Sequence, residues 1–204
     1  MEINLENGNV LHIMRAKGLE LFYKKGYYNT SLTDILKDLA ITETAFKQHF
    51  QSKENFFISI AQNLILQKIL DLLIEPVVYK QSPFSLIIDM FEDELNSVVK
   101  STMDHGFILS NFINEFNNRN PRINKYLLDI LKIWEINLTS VLRKGQLDGY
   151  VNHYIDCESA SNHIITSYFG VRTLMVEGNS RGLKQHFLQQ LQHYFYSISQ
   201  KLTA

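Results

Sequence analysis

The spacing of the apolar residues constrains the fold of this chain more than any other feature of its sequence. Along most of the 204 residues, apolar side chains recur every three to four positions, which is the period of one face of an α-helix. Only 3 Pro and 9 Gly interrupt the pattern. No segment alternates apolar and polar residues as a half-buried strand does. The sequence therefore predicts an all-α fold.

The first two predicted helices have clear start and stop signals. The first covers Val10–Lys25 and ends at Gly26. Gly18 lies on its apolar face, where glycine costs about 1 kcal/mol relative to alanine, so a close helix contact is expected there. The second helix begins at Ser31, which forms an approximate capping box with Asp34.

The next two predicted helices follow each other closely. Thr42 is the N-cap candidate of the third helix, whose apolar stripe consists of Ala45, Phe46, His49 and Phe50. Ser52 caps the fourth helix, which is predicted to run to Glu75, where Pro76 ends or bends it. Three short helices that lead into a long one indicate a helix-turn-helix domain with a long connecting helix.

Five further helices are predicted in the rest of the chain. Their apolar periodicity is bounded by glycines, by Pro83 and by the polar sequence NNRNP. The predicted ranges are 84–102, 104–117, 122–144, 156–177 and 181–201. The chain thus divides into an N-terminal helix-turn-helix domain, residues 1–52, and a helical domain, residues 53–204.

Composition limits where the protein works and what it contacts. The net charge is −1, so any contact with nucleic acid depends on a local patch. The single cysteine, Cys157, excludes a disulfide framework and predicts a reducing compartment. No leader sequence opens the chain and no apolar run is long enough to span a bilayer. We therefore expect a cytoplasmic protein with no membrane partner.

Residues 19–57, LELFYKKGYYNTSLTDILKDLAITETAFKQHFQSKENFF, resemble the DNA-binding domain of the TetR (tetracycline repressor) family. The matching residues are Leu21-Phe22, Gly26-Tyr27, Thr30-Ser31, Asp34-Ile35, Ile41-Thr42, Phe46, His49-Phe50 and Ser52-Lys53-Glu54. LRKGQLDGYV also looks like the Gly-Gln-x-x-Gly ending of the seventh helix in several members. The resemblance implies nine helices, a two-fold dimer, a ligand pocket in the second domain, and repression that a ligand relieves.

The third helix, Thr42 to Phe50, is the candidate for reading DNA bases in the major groove. Its apolar stripe leaves Glu43, Thr44, Lys47 and Gln48 facing outward. Gln48 could read adenine, and the Thr44 methyl group could meet a thymine methyl. Hydroxyl groups and a cation at helix starts suit phosphate contacts, and the residues placed there are Ser31, Thr33, Thr42 and Lys53.

Two sets of residues near this helix have competing interpretations. His49 is a candidate phosphate contact, but its place on the apolar stripe favours a buried, hydrogen-bonded structural histidine. Lys24 and Lys25 are more simply a solvated helix end than a DNA contact.

Several departures from the family pattern support a second function. Ala40 stands where the family usually has glycine, Lys47 where it usually has tyrosine, and Gln48 where histidine is frequent. Residues 1–57 contain seven Lys or Arg and seven Asp or Glu, which is unusually neutral for a DNA-binding domain. The alternative is a helical small-molecule-binding or interaction protein that has lost specific DNA binding.

Candidate ligand contacts come from helical faces that combine aromatic residues with a few polar ones. This is the composition of a small-molecule site, and it is also that of an ordinary helical core. The candidates are Gln67, Phe107, Asn111, Trp134, Asn137, Tyr168 and Arg172. A ligand contact at Gln67 would couple directly to the reading helix, because Gln67 lies on the connecting helix.

The last two predicted helices are candidates for a dimer surface. Their stripes include Gly170, Leu174, Phe187, Leu191 and Phe195. Such stripes can also pack on the core of their own chain. The resemblance, which implies a four-helix bundle between protomers, favours the homodimer, and a two-fold dimer would match a palindromic operator.

No motif for catalysis or metal binding is recognisable. The sequence has no nucleophile elbow, no glycine-rich phosphate loop and no helical metal motif. The carboxylates of DMFEDEL, residues 89–95, most simply form a solvated helix face. A lone cysteine such as Cys157 is more often inert than redox-active. We therefore predict neither an enzyme nor a bound cofactor or metal.

Overall fold

The computed structural model of the chain describes residues 8–37, 39, 41–74, 82–100, 105–177 and 180–200. Within these ranges the chain forms nine helices and no strand, apart from one isolated bridge between Val151 and Ser199. The all-α prediction is confirmed. The helices are α1 Gly8–Lys25, α2 Leu32–Lys37, α3 Glu43–Phe50, α4 (Lys53–Ile60, Ala61–Ile65 and Leu66–Leu70), α5 Pro83–Lys100, α6 Ile108–Phe116, α7 Pro121–Leu147, α8 Cys157–Leu174 and α9 Ser180–Ile198.

The predicted helix starts are confirmed by their hydrogen bonds. The Asp34 backbone N–H donates to Ser31 Oγ at 3.0 Å, and the Ser31 N–H donates back to the Asp34 carboxylate at 2.8 Å, which completes a capping box. Thr42 and Ser52 are the N-caps of α3 and α4. Gly26 ends α1 with φ +85°, a conformation that glycine adopts without strain.

Some predicted helix ends are wrong. Helix α4 ends at Leu70 rather than at Glu75; Glu75, Pro76 and Ala40 lie outside the described residues. Helix α7 does not stop at Gly145 but continues to Leu147, and the chain turns at Gly149, where φ is +79°. Gly145 serves a close contact instead, since a Cβ atom there would lie 2.5 Å from Pro83 Cγ.

Helix α4 contains a π-helical segment, Ala61–Ile65, that the sequence periodicity explains. Its buried positions Phe57, Ala61, Ile65 and Ile69 recur every four residues. An α-helix has 3.6 residues per turn, so a four-residue repeat would rotate the apolar stripe away from the core. The wider π turn compensates for this rotation and keeps the stripe buried.

The chain forms two compact units. Unit 1 comprises Met1–Ile69 and Ile108–Ile130, and unit 2 comprises Leu70–Phe107 and Leu131–Ala204. Helix α7 therefore contributes its first part to unit 1 and the remainder to unit 2. The predicted boundary between residues 52 and 53 concerns function, the division between DNA binding and ligand binding, and it stays a prediction.

Unit 1 is built around an aromatic core that we call the N-terminal core. The ring of Phe56 on α4 lies 4.7 Å from that of Phe50 and 5.1 Å from that of Phe46. Phe57 extends the core to α6, with ring distances of 4.9 Å to Phe112 and 4.8 Å to Phe116. These rings anchor α3 and α6 on α4; the core comprises Phe22, Phe46, Phe50, Phe56, Phe57, Phe112 and Phe116.

The close helix contact predicted at Gly18 is confirmed within this core. A Cβ atom on Gly18 would lie 2.6 Å from Phe56 Cζ and 3.0 Å from Ile60 Cδ1. The absent side chain thus lets α1 approach α4 closely enough for Phe22 to pack on Phe56, with a ring distance of 6.2 Å.

In unit 2, α9 packs against α5 and α8. Phe187 on α9 meets Phe91 on α5 at a ring distance of 5.4 Å, and Phe195 stacks on Phe84 at 4.7 Å. Gln146 closes the turn after α7, because its side-chain amide donates to the carbonyls of Asn152 and Ile155. No helix in the described ranges is long and apolar enough to cross a membrane.

Candidate DNA-binding surface and ligand site

Helix α3 begins and ends sharply because both of its ends are capped. Thr42 Oγ1 accepts a hydrogen bond from the Ala45 N–H at 3.2 Å. At the other end Gln51 adopts φ +62°, and its N–H donates to the Lys47 carbonyl at 2.9 Å. Ser52 then caps α4 directly. A short helix held at both ends presents its outward side chains in a defined orientation.

The outward face of α3 carries the predicted base-reading residues. Phe46 and Phe50 are buried in the N-terminal core, whereas Thr44, Lys47 and Gln48 are exposed. Glu43 is also exposed, and it pairs with Lys47 at 2.7 Å. Because this ion pair is solvent-exposed, water and salt screen it and DNA phosphates can compete for the lysine.

The expectation of a buried His49 is wrong. His49 is exposed, because the inward face of this eight-residue helix is filled by Phe46 and Phe50. Its ring lies beside that of Phe50, tilted by 56° at a centroid distance of 6.4 Å. The imidazole is therefore open to solvent rather than buried in the core.

The predicted phosphate-binding residues at helix starts differ in their exposure and in their hydrogen-bond partners. Thr33 is exposed on the first turn of α2. The Ser31 and Thr42 hydroxyls serve as helix caps, which satisfies backbone N–H groups at these starts. Hydrogen bonds from Ser31 also hold the pKa of Asp34 below its ordinary value.

Lys53 is engaged inside unit 1. Its Nζ donates to the Tyr27 carbonyl at 2.5 Å and lies 4.0 Å from the centre of the Tyr27 ring. Burial lowers the pKa of Lys53, an effect that the negative charge of Glu115 partly offsets. The lysine therefore braces the turn after α1 and is half-buried, so a phosphate contact would have to compete with these partners.

Unit 2 contains a second group of rings that we call the Trp134 cluster: the buried Phe91, Phe107, Trp134 and Tyr168, and the half-buried Phe169. Trp134 lies 5.7 Å from Phe107 and 5.8 Å from Tyr168, ring centre to ring centre. Phe107 lies 5.1 Å from Tyr168 and 5.6 Å from Phe169. Three predicted ligand residues, Phe107, Trp134 and Tyr168, are thus brought together.

Arg172 lies beside this cluster in the interior of unit 2. It is 4% exposed, and its Nη2 donates to the Gly106 carbonyl at 3.0 Å, one residue from Phe107. Arg172 also follows Tyr168 by one helical turn on α8, and the two side chains are hydrogen-bonded. Burial raises the pKa of the Tyr168 phenol well above its ordinary value.

Residues 15–60 match the sequence model of the family described as "Bacterial regulatory proteins, tetR family". This range contains helices α2 and α3, most of α1 and the start of α4. This part of the chain matches the TetR family. The predicted resemblance is therefore confirmed.

Comparisons over the whole chain agree with this assignment. The HTH-type transcriptional repressor DhaR of Mycobacterium sp. (strain GP1) is 24% identical over 177 residues, which cover 83% of this chain and 84% of DhaR. A TetR transcriptional regulator from Chloroflexus aurantiacus J-10-FL has a TM-score of 0.82 at 17% identity, covering 94% of this chain and 96% of its own. Reduced NemR of E. coli has a TM-score of 0.80 at 14% identity, covering 96% and 100%. The TetR-family fold therefore extends through both units.

The remaining predicted ligand residues are Asn137, Gln67 and Asn111. Asn137 is bound to the backbone of Ile74, since its Oδ1 accepts from the Ile74 N–H at 3.0 Å and its Nδ2 donates to the Ile74 carbonyl at 2.9 Å. This arrangement holds the chain that follows α4. Gln67, which is exposed, and Asn111, which is half-buried, belong to unit 1.

The predicted dimer residues fall into two groups. Gly170 is exposed and Leu174 is 61% exposed on α8, so both lie on the surface of this protomer. Phe187, Leu191 and Phe195 are buried inside unit 2. Those three residues pack on the core of their own chain, which is the alternative that helical stripes allow.

Sequence reasoning missed the contribution of α5 to the Trp134 cluster. The segment DMFEDEL was interpreted as a solvated acidic face, yet Phe91 within it is fully buried, 4.7 Å from the Tyr168 ring. Glu94, one turn further on, accepts from the Tyr168 hydroxyl at 3.5 Å. The apolar spacing of Ile87, Phe91 and Leu95 was the signal that could have shown this inward face.

Proposed function

We propose that this chain is a transcriptional repressor that binds a palindromic DNA operator as a homodimer. A small molecule bound in unit 2 then releases it. The outward face of α3 carries the proposal, because Thr44, Lys47 and Gln48 are exposed on a helix whose other side is locked into the N-terminal core. The role is regulatory rather than catalytic, and it places the protein with the DNA in the cytoplasm.

Release by a ligand requires two states of the protein. The ligand shifts the equilibrium only if it binds the DNA-free state more tightly than the DNA-bound state. The same linkage means that operator DNA weakens ligand binding by the same factor. DhaR is named as a transcriptional repressor, which supports repression rather than activation as the effect proposed here.

The homodimer is proposed from the exposed apolar residues of unit 2. Leu174 is 61% exposed and Tyr196 is 75% exposed, on α8 and α9 respectively. Gly170, with no atom within 4 Å of a Cβ placed on it, leaves room on α8 for a partner helix. A two-fold dimer places two copies of α3 on successive major grooves of a palindrome.

Selection of genomic DNA fragments by the purified protein, at two salt concentrations, tests the repressor proposal. We expect enrichment of one palindromic site, with weaker binding at the higher salt as phosphate contacts are screened. Replacing Thr44 and Gln48 together by Ala should reduce operator affinity at least tenfold, since each base contact contributes about 1–3 kcal/mol. The matched control is Lys125→Ala with Asp129→Ala, two exposed positions on α7 in the same unit.

The second candidate function is a small-molecule-binding protein without specific DNA recognition. The Glu43–Lys47 ion pair favours it, because the carboxylate offsets the only lysine on the outward face of α3. Recovery of no sequence-specific fragment at either salt concentration, with the protein folded and dimeric, would establish this alternative over the repressor.

A further inference from the structure

The polar groups of the Trp134 cluster include a hydrogen-bond donor with no acceptor. Trp134 is 0% exposed, and among the described residues its Nε1 has no hydrogen-bond partner. Buried indole N–H groups usually find an acceptor, and leaving one unsatisfied is costly. A ligand that supplies an acceptor at this position would remove that cost.

The second polar group, Arg172, contributes a permanent positive charge. Its guanidinium is 4% exposed and is fixed to the Gly106 carbonyl at 3.0 Å. A guanidinium is planar and presents several N–H groups in one plane, which matches the two oxygens of a carboxylate. Burial strengthens such a pairing, because less water competes for the charge.

The third polar group, the Tyr168 hydroxyl, is hydrogen-bonded to Arg172, but the bond in which it is the donor is long. Its bond to Glu94 Oε1 is 3.5 Å long, well beyond the usual length for a hydroxyl donor. Because burial raises the pKa of Tyr168 well above its ordinary value, the phenol stays protonated and remains a donor at neutral pH. Trp134, Tyr168 and Arg172 can therefore all donate to a ligand.

We propose that the Trp134 cluster binds an aromatic carboxylate, whose oxygens accept hydrogen bonds from Trp134 Nε1 and Arg172 and whose ring packs against the aromatic side chains of the cluster. The rings favour a flat apolar group, because offset and edge-to-face contacts add to the burial of apolar area. This inference rests on the proposed function, in that it names the chemical class of the effector.

Fluorescence of the full-length protein provides a direct test, because Trp134 is the only tryptophan in the chain. The probes are benzoate and 3-phenylpropionate, with their primary amides as neutral counterparts and benzylamine as a cationic one. At constant ionic strength, we expect at least one carboxylate to change Trp134 emission saturably. It should bind at least tenfold more tightly than its amide, the effect of losing one charge-assisted hydrogen bond.

Two outcomes of the titrations overturn the proposal. One is the absence of a saturable change with both carboxylates. The other is an amide, or benzylamine, that binds as tightly as the best carboxylate. Tight benzylamine binding would instead identify Glu94, the half-buried carboxylate beside Tyr168, as the ligand's partner.

Substitutions test whether Arg172 and Tyr168 bind the carboxylate. Arg172→Lys keeps the charge but removes the planar fork, and we expect it to weaken carboxylate binding about tenfold or more. Tyr168→Phe keeps the ring and the fluorescent reporter and should weaken binding severalfold. Arg143→Gln, at an exposed position of α7 in unit 2, is the matched control and should bind as the unchanged protein does.

If circular dichroism shows that Arg172→Lys is misfolded, Tyr168→Phe and Trp134→Phe replace it. Carboxylate binding to these two variants is then measured by calorimetry. Wild-type carboxylate affinity in every folded variant overturns the proposal. Operator binding separates this inference from the proposed function. Carboxylate binding without any operator refutes the repressor alone, whereas operator binding without carboxylate binding refutes the ligand class alone.

Discussion

The two aromatic clusters of this chain are similar in composition but differ in their polar groups. The N-terminal core is formed by seven phenylalanines whose rings lock α1, α3 and α6 onto α4. The Trp134 cluster has comparable ring spacings, yet it encloses an indole N–H, a phenol and a guanidinium. Apolar rings alone stabilise a fold, whereas buried polar groups reduce stability unless they are satisfied. The first cluster therefore has a structural role, and the polar groups of the second are the basis of the binding role proposed for it.

The largest effect is expected from Phe56→Ala in the N-terminal core. Phe56 is fully buried between Phe46 and Phe50, so its truncation should reduce the free energy of unfolding by about 3–5 kcal/mol. Chemical denaturation measures this change. Tyr154→Ala, at a side chain that is 86% exposed, should stay within about 0.5 kcal/mol of the unchanged protein. Similar stability for both variants would contradict a structural role for the N-terminal core.

Two glycine substitutions should have effects of opposite sign in the two units. Gly18→Ala places a methyl group 2.6 Å from Phe56 Cζ, and this ring cannot move because Phe46 and Phe50 enclose it. We expect a loss of about 1–3 kcal/mol from overpacking. Gly170→Ala, on α8 with open space around it in its own protomer, should gain up to about 1 kcal/mol from helix propensity when the protein is measured as a monomer.

Thermal unfolding of both variants checks this pair, with Gly170→Ala as the matched control for the intrinsic benefit of alanine in a helix. A stabilising Gly18→Ala would show that α1 and α4 are less closely packed than the structure indicates.

The smallest effects concern two helix caps, one in each unit. Ser31 lowers the pKa of Asp34 in unit 1, and Ser159 lowers the pKa of Asp156 in unit 2, each mainly by side-chain hydrogen bonding. Because both pKa values lie below those of the unfolded chain, the stabilisation is present at neutral pH. It is lost as the pH falls through the folded-state pKa.

NMR titration of the carboxylates measures these pKa values directly. Ser31→Ala should raise the pKa of Asp34 and leave that of Asp156 unchanged, and Ser159→Ala should do the reverse. Each variant is therefore the control for the other. An Asp34 pKa that stays low in Ser31→Ala would assign the shift to the backbone N–H of residue 31, which the substitution keeps, and to the nearby positive charges of Lys25 and Lys37.

Local signals predicted the DNA-binding part of the molecule well. The caps at Ser31, Thr42 and Ser52, the turn at Gly26 and the close contact at Gly18 all depend on residues near in sequence or on one helical face. His49 was misassigned because an eight-residue helix has a narrow inward face, and Phe46 and Phe50 fill it. The candidate ligand site was predicted only in part, since periodicity does not show which helices meet.

By itself, the sequence determined the all-α fold, the start signals of α2 to α4 and the family, because these depend on periodicity, capping chemistry and a contiguous motif. Only the tertiary structure decided that Phe91 joins Trp134 and Tyr168, that Asn137 holds the Ile74 backbone, and that Phe187 and Phe195 lie inside their own unit. These outcomes depend on contacts between residues distant in sequence. An apolar helical stripe has the same pattern whether it covers a core, a ligand or a second protomer.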